Sequence, residues 1–171
     1  KDYILYLGTG FWITVVLSVL TSLVLVFGAG YFSVSILHDI QYKPVFYIFG
    51  GTLLFYALNT LLTSVINGFK EYKKYVISNI VGSIVGLLFS VVLAVKYTVF
   101  GALVATVTFQ SIVFFITLGL IAKSYWFKWK SFLLKFNKGI AVKLGHYSLM
   151  AIVSAVTVPA GQILVRSFII S

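Results

Sequence analysis

The sequence is short of the residues that catalytic and metal sites need. It contains no cysteine, which excludes disulfides, thiolate metal sites and cysteine nucleophiles. The three acidic residues are Asp2, Asp39 and Glu71, and none of them lies inside a long apolar run. General acid or base catalysis needs a carboxylate or histidine in a pocket, whereas the two histidines, His38 and His146, lie near the ends of such runs. We therefore expect neither an enzyme nor a bound metal ion or cofactor.

Charge is also scarce. Only 9% of the residues are charged, against roughly 25% in a soluble domain, while 61% are hydrophobic and 18% are aromatic. The net charge of +10 does not indicate a nucleic-acid partner, because the basic residues fall between apolar runs and form no stripe on a polar surface. The composition predicts an all-α polytopic membrane protein that lies in a lipid bilayer.

Each of five apolar runs contains about 20 residues or more, the length that a membrane-spanning helix needs. The strands of a β-barrel alternate apolar and polar residues, and these runs do not. We predict four transmembrane helices at about residues 8–37, 45–67, 75–95 and 98–121, a linker at 122–143, and a fifth transmembrane helix within 144–171.

Two places in these runs predict a change of chain direction. The first run is longer than one perpendicular helix needs, so it tilts, bends near Gly28 and Gly30, or begins along the membrane interface. The third and fourth runs are separated only by the few residues around Lys96. This short connection predicts an antiparallel helical hairpin with its turn at residues 96–98.

The basic residues predict the orientation. Lys1, the three lysines of residues 70–74 and the six of 123–143 fall on one side of the membrane, whereas Lys43, Lys96 and Arg166 fall on the other. Because loops rich in lysine and arginine stay in the cytoplasm, the stretch NGFKEYKKY at 67–75 is expected there as a topological anchor.

The linker has an aromatic face. Drawn as a helix, it places six large apolar side chains together and its lysines elsewhere: Trp126, Trp129, Phe132, Leu133, Phe136 and Ile140. A basic amphipathic helix at the cytoplasmic membrane surface is the interpretation that its position favours, and a calmodulin-type target is the alternative.

Polar and small residues recur at helical spacing inside three of the predicted spans. They are Thr52, Tyr56, Asn59, Thr63 and Asn67 in the second, Asn79, Gly82, Ser83, Gly86 and Ser90 in the third, and Thr106, Gln110 and Thr117 in the fourth. The stripe of the third predicts close helix packing, because small residues let helices approach. The bulkier polar groups of Asn59 and Gln110 are costly against lipid, so either a packed interface or a water-filled cavity is expected there.

The last predicted span carries an arginine. Pro159 bends this helix, and Gln162 and Arg166 share one of its faces. The Arg166 side chain either reaches the outer interface or lies inside the membrane, where a charge is expensive and usually functional.

Two stretches carry a resemblance to a known family. ALNTLLTSVINGFKEYKKYVISNIVGSIVGL, and then LGHYSLMAIVSAVTVPAGQILVRSFII, resemble the Wzx-type O-antigen and polysaccharide flippases of the multidrug/oligosaccharidyl-lipid/polysaccharide exporter superfamily. The resemblance implies two six-helix lobes around a central cavity, with this chain supplying about the third to seventh of twelve helices. Residues 122–143 would then connect the lobes on the cytoplasmic side.

The resemblance also implies a function. The substrate would be an undecaprenyl-diphosphate-linked oligosaccharide, moved across the bacterial inner membrane for O-antigen or lipopolysaccharide synthesis, with polysaccharide-assembly membrane proteins as further partners. A cavity for it needs cations, amides and hydroxyls. The substrate-binding candidates are Arg166, Gln162, Asn59, Thr63 and Gln110.

Three other functions stay open at this point. A multidrug or cation antiporter of the same fold usually needs a carboxylate inside the membrane, and the sequence offers none in its predicted spans. An integral membrane enzyme that processes polysaccharides would need an acid or base in a pocket. A subunit that only packs against other helices needs no site at all.

Overall fold

The computed structural model describes residues 2–127, 132, 136–150 and 153. These residues form helices and turns, without a strand. The helices are α1 (Asp2–Phe27), α2 (Ala29–Leu37), a short 3₁₀ turn (Ile40–Tyr42), α3 (Lys43–Gly68) and α4 (Tyr72–Ile121). Residues 138–150 are also helical and are called α5 below.

Three of the helical segments in the described part of the chain are long and apolar enough to cross a membrane. They cover residues 3–27, 40–68 and 72–121. Their outward faces carry exposed apolar side chains, such as Val24, Leu87 and Val91, as expected for surfaces in contact with lipid. The all-α class is therefore shown, and the three long apolar segments indicate a membrane protein. Two predicted spans lie together in α4, and most of the fifth lies outside the described residues.

Helix α4 is an antiparallel hairpin. Its 50 residues run through Thr98, whose backbone is not helical (φ 52°, ψ −129°). Ser78 and Thr117 are hydrogen-bonded at 2.8 Å, and a Cβ on Gly82 would lie 3.0 Å from Val113. These contacts pair residues at equal distances from the turn, so the reversal predicted at 96–98 is confirmed. We call residues 72–97 the first arm and residues 99–121 the second arm.

The first apolar run bends at Gly28, which was one of its three predicted alternatives. Helix α1 ends at Phe27, and α2 begins at Ala29. The backbone hydrogen bonds continue through the bend. The Gly28 N–H donates to the Val24 carbonyl at 2.9 Å, and the Phe32 N–H donates to the Gly28 carbonyl at 2.9 Å. A Cβ on Gly28 would lie only 2.7 Å from the Phe32 ring, so a glycine gives the Phe32 side chain the space it occupies at this bend.

The two ends of the bundle differ in charge. Three aromatic rings lie together at one end. The ring centroid of Phe69 is 5.5 Å from that of Tyr3 and 6.2 Å from that of Tyr125. We call this the basic end, because the loop of Lys70, Lys73 and Lys74 and the residue Lys123 belong to it. At the opposite end, Gln41 and Tyr42 share a surface hollow with Tyr97 and Thr98. Successive connections therefore alternate between the two ends.

The linker differs from its prediction in its first residues. Residues 122–127 form turns, and the Trp126 side chain is 1% exposed, in a buried cluster with Leu7, Ile66 and Phe132. The Trp126 ring therefore packs inside the helix bundle and does not belong to an interfacial aromatic face, while the rest of the amphipathic helix stays a prediction. Residues 128–131 and 133–135, with Trp129 and Leu133, lie outside the described residues.

Helix α5 begins earlier than the predicted fifth span. It starts at residue 138, six positions before residue 144. The Asn137 side-chain oxygen accepts the backbone N–H of Ile140 at 3.1 Å, an N-cap that the apolar periodicity does not reveal. The Asn137 backbone N–H donates to the Thr9 hydroxyl at 3.2 Å, so this helix start is attached to α1.

Candidate binding cleft

Asn59 is the centre of a polar network between α3 and both arms of α4. Its side chain is 4% exposed and uses both ends of its amide. The Nδ2 group donates to Gln110 Oε1 at 2.8 Å, and Oδ1 accepts from the Thr117 hydroxyl at 2.8 Å. Thr117 is in turn bonded to Ser78 of the first arm. A buried amide costs free energy unless it is hydrogen-bonded, and here its partners fix the rotation of all three helical segments.

A polar cleft of about 280 Å³ lies beside this network. Helix α3 contributes Asn59, Thr60, Thr63, Ser64 and Asn67, and the first arm contributes Tyr75, Ser78, Asn79 and Ser83. Gln110 of the second arm forms part of the wall. Asn67 lies in the last turns of α3 and Tyr75 in the first turn of α4, so the cleft extends from the middle of the bundle to the basic end.

The described lining of the cleft carries hydrogen-bonding groups but no charged side chain. Amides and hydroxyls can hold a hydroxyl-rich molecule such as a saccharide, whereas a phosphate needs a cation or several N–H donors. The arrangement alone therefore suits the uncharged part of a ligand.

The structure brings three of the five predicted site residues together. Asn59, Thr63 and Gln110 all line the cleft, and the Thr63 hydroxyl donates to the backbone carbonyl of Asn59 at 2.7 Å. The polar groups thus form both a packed interface and the wall of a cavity, which the sequence left as alternatives. Arg166 and Gln162 lie outside the described residues.

Part of the cleft wall, contributed by the first arm, was not predicted from the sequence. Gly82 and Gly86 pack closely, with a Cβ on Gly86 only 2.8 Å from the Phe109 ring, as their stripe predicts. Asn79 and Ser83 belong to the same stripe but line the cleft. Their larger polar groups, one helical turn apart, were the signal that separates them from the packing glycines.

The loop between α3 and α4 holds the start of the linker. Lys74 Nζ lies 3.1 Å from Glu71 Oε2, and it also donates to the Ser124 hydroxyl at 2.6 Å. Ser124 donates to the same Glu71 oxygen at 3.0 Å. Beside this triad, the Phe69 and Trp126 rings stack with their centroids 4.8 Å apart. The charged stretch NGFKEYKKY is therefore also the docking surface for residues 124–126.

The docked loop makes the folding stability pH-dependent. Burial alone would raise the pKa of Glu71, but hydrogen bonds from Lys74 and Ser124 and the charge of Lys74 lower it below its usual 4.5. The indole N–H of Trp126 also favours the carboxylate, although it makes no hydrogen bond of normal geometry within the described residues.

We expect acid to weaken this docking. Because the pKa of Glu71 is lower in the folded state, its contribution to stability is present above about pH 4.5 and is lost as the pH falls through the folded-state pKa. Thermal unfolding in detergent, followed across this range, should show a steeper acid loss for the wild type than for Glu71→Gln. Parallel profiles for the two proteins would contradict a stabilising role of this carboxylate.

No protein-family model, no curated protein and no solved structure matches this chain.

Proposed function

We propose that this protein translocates an undecaprenyl-diphosphate-linked oligosaccharide across the bacterial inner membrane. The observation that carries the proposal is the uncharged polar cleft, which begins beside Asn59 in the middle of the bundle and reaches the basic end. By the distribution of lysines this end faces the cytoplasm, where such a substrate would enter. The amides and hydroxyls of the cleft then bind the sugars.

The diphosphate needs a different set of groups. No basic side chain belongs to the described lining of the cleft, so we assign the phosphates to Arg166 with Gln162, the candidates from the resemblance to Wzx-type flippases. An arginine fork suits this task because it can bind phosphate oxygens in pairs. Alternating access between two six-helix lobes would carry the bound lipid to the other leaflet. No bond is made or broken, so no catalytic residue is proposed.

The cleft gives less support to the other functions. A cation antiporter would need a carboxylate within reach of its ligand, and the described lining contains none. A subunit that only packs against other helices gains nothing from a row of hydroxyl and amide groups beside a cavity. The lining of the cleft therefore favours neither the antiporter nor the packing subunit.

The test is complementation of surface polysaccharide in a strain that lacks its own flippase. The full-length chain should restore the polysaccharide, Arg166→Lys should restore it partly, and Arg166→Ala should restore at most about a tenth, because the lost ion pair and fork weaken phosphate binding. Amounts are normalised to membrane protein level. Full transport by Arg166→Ala would remove this residue from the substrate path, and absence of any complementation by the wild type would contradict the proposed function.

A further inference from the structure

A second cavity, of about 260 Å³, lies between α1, α3, the second arm and the linker, and we call it the apolar cavity. It shares no described lining residue with the polar cleft. Its described lining consists of leucine and phenylalanine alone, such as Phe11 of α1, Leu62 of α3, Leu118 of the second arm and Phe132 of the linker. Packed protein interiors leave few voids larger than a water molecule, and an engineered apolar cavity of about 150 Å³ already binds benzene. The apolar cavity is therefore large enough for a ligand.

The lining decides what kind of molecule can occupy the apolar cavity. A buried water needs about two to four polar partners, and leucine and phenylalanine side chains offer none. A charged group would lose its hydration without gaining a partner. Hydrocarbon, by contrast, gains dispersion contacts from the rings and methyl groups of the wall. The described walls therefore fit a hydrocarbon chain.

Aromatic side chains connect the wall of the apolar cavity with the lipid-facing surface on two sides. On α1, the ring centroid of Phe11 lies 6.2 Å from that of Trp12, which is 40% exposed. On the second arm, the ring centroid of Phe114, also a lining residue, lies 5.3 Å from that of Phe115, which is 60% exposed. Both exposed rings belong to apolar segments long enough to cross a membrane. The hydrocarbon nearest to the cavity is therefore that of the bilayer.

We propose that the apolar cavity holds an acyl chain of a membrane phospholipid. Such chains form most of the hydrocarbon beside Trp12 and Phe115, so mass action favours them over the chain of a minor lipid. The cavity also lies close to the basic end, because Leu118 belongs to the last turn of α4. An acyl chain can therefore reach it while the phospholipid headgroup stays at the membrane surface. The site is independent of the proposed function, since it requires only that the protein lies in a bilayer.

The bound acyl chain has a structural role. Phe127 and Phe132 bring the linker against the apolar cavity, and their ring centroids are 5.7 Å apart. Beside them, Trp126 stacks on Phe69 at the end of α3. An acyl chain adds dispersion contacts to the two phenylalanine rings of the linker, whereas an empty cavity removes them. The acyl chain thus stabilises the docked linker.

Photolabelling in vesicles tests this site in the full-length protein. One set of vesicles contains phosphatidylcholine with a diazirine within its acyl chain, and a second set contains a polyprenyl phosphate with a diazirine within its chain. After illumination, the labelled residues are located by peptide mass spectrometry. We expect the phosphatidylcholine probe to label Leu118 and Leu62, although Leu62 is only 5% exposed, as well as Leu87 on the outer surface of the first arm.

Leu61→Phe separates the apolar cavity from the rest of the lipid-facing surface. Leu61 lines the cavity, so the larger ring fills part of it, and labelling of Leu62 and Leu118 should fall at least about fivefold. Labelling of Leu87 should not change. Leu88→Phe is the matched control, because it makes the same substitution at a side chain that is 58% exposed on the outer surface, and it should keep the wild-type pattern.

Each other outcome overturns the proposed site. Labelling of Leu87 without Leu62 and Leu118 would mean that acyl chains reach the outer surface only. Labelling of the two cavity residues by the polyprenyl probe alone would mean that the occupant is a different lipid, and equal cavity labelling in the wild type and Leu61→Phe would place the labelling chain outside the cavity. The wild-type comparison needs no substitution, so it decides the matter even where Leu61→Phe does not fold. None of these results depends on transport, which complementation tests separately.

Discussion

Gly101→Ala is expected to disrupt the hairpin of α4 and to lower the stability of the whole protein. A Cβ at this position would overlap the Leu93 carbonyl oxygen and would also lie 2.9 Å from Tyr97 Cβ. Overpacking against side chains typically costs about 1–3 kcal/mol, and a backbone carbonyl cannot turn away as a side chain can. We therefore expect a loss of at least about 3 kcal/mol, or no folded protein in the membrane.

A glycine in the same arm provides the control. A Cβ at Gly119 would meet no atom within 4 Å, so Gly119→Ala should leave stability nearly unchanged or raise it by up to about 1 kcal/mol through helix propensity. The measurement is thermal unfolding in detergent, followed by the monodisperse fraction in size-exclusion chromatography. Equal unfolding temperatures for the two variants would mean that the arms do not meet at Gly101.

Asn59→Leu is expected to combine a loss of stability with a loss of transport. Leucine leaves the Thr117 hydroxyl without its acceptor and Gln110 Oε1 without its donor in a buried interface. Unpaired buried groups cost about 1–3 kcal/mol each, but hydrogen bonds between membrane helices average only about 0.6 kcal/mol. We expect a net loss of about 2 kcal/mol, which lowers the unfolding temperature by about 5 °C.

The loss of transport in Asn59→Leu should be larger than its loss of folding stability can explain. Asn59→Leu also frees Gln110 from its fixed orientation, so surface polysaccharide at equal protein level should fall about tenfold or more under the proposed function. Thr106→Val should stay within about 0.5 kcal/mol of the wild type and transport normally, because its hydroxyl serves only its own helix. Normal transport by a destabilised Asn59→Leu protein would restrict Asn59 to helix packing.

Features that depend on neighbours along the chain were predictable from the sequence. The scarcity of charge and the long apolar runs determine the helical membrane class, because each residue contributes separately to transfer into lipid. The short connection around Lys96 determines the hairpin, since two long helices joined by so few residues must lie antiparallel. The spacing of Asn59 and Thr63 likewise determines that their side chains share one face of α3.

Only the tertiary structure decided what these faces meet. Asn59 pairs with Gln110, 51 positions away, because the rotation of each helix about its axis follows from packing and not from local sequence. Gly101 and Gly119 look alike in the sequence, but only Gly101 lies against the backbone of the other arm. Trp126 has the pattern of an interfacial residue, yet it stacks on Phe69 because the bundle offers its large ring a buried apolar partner that the membrane surface cannot.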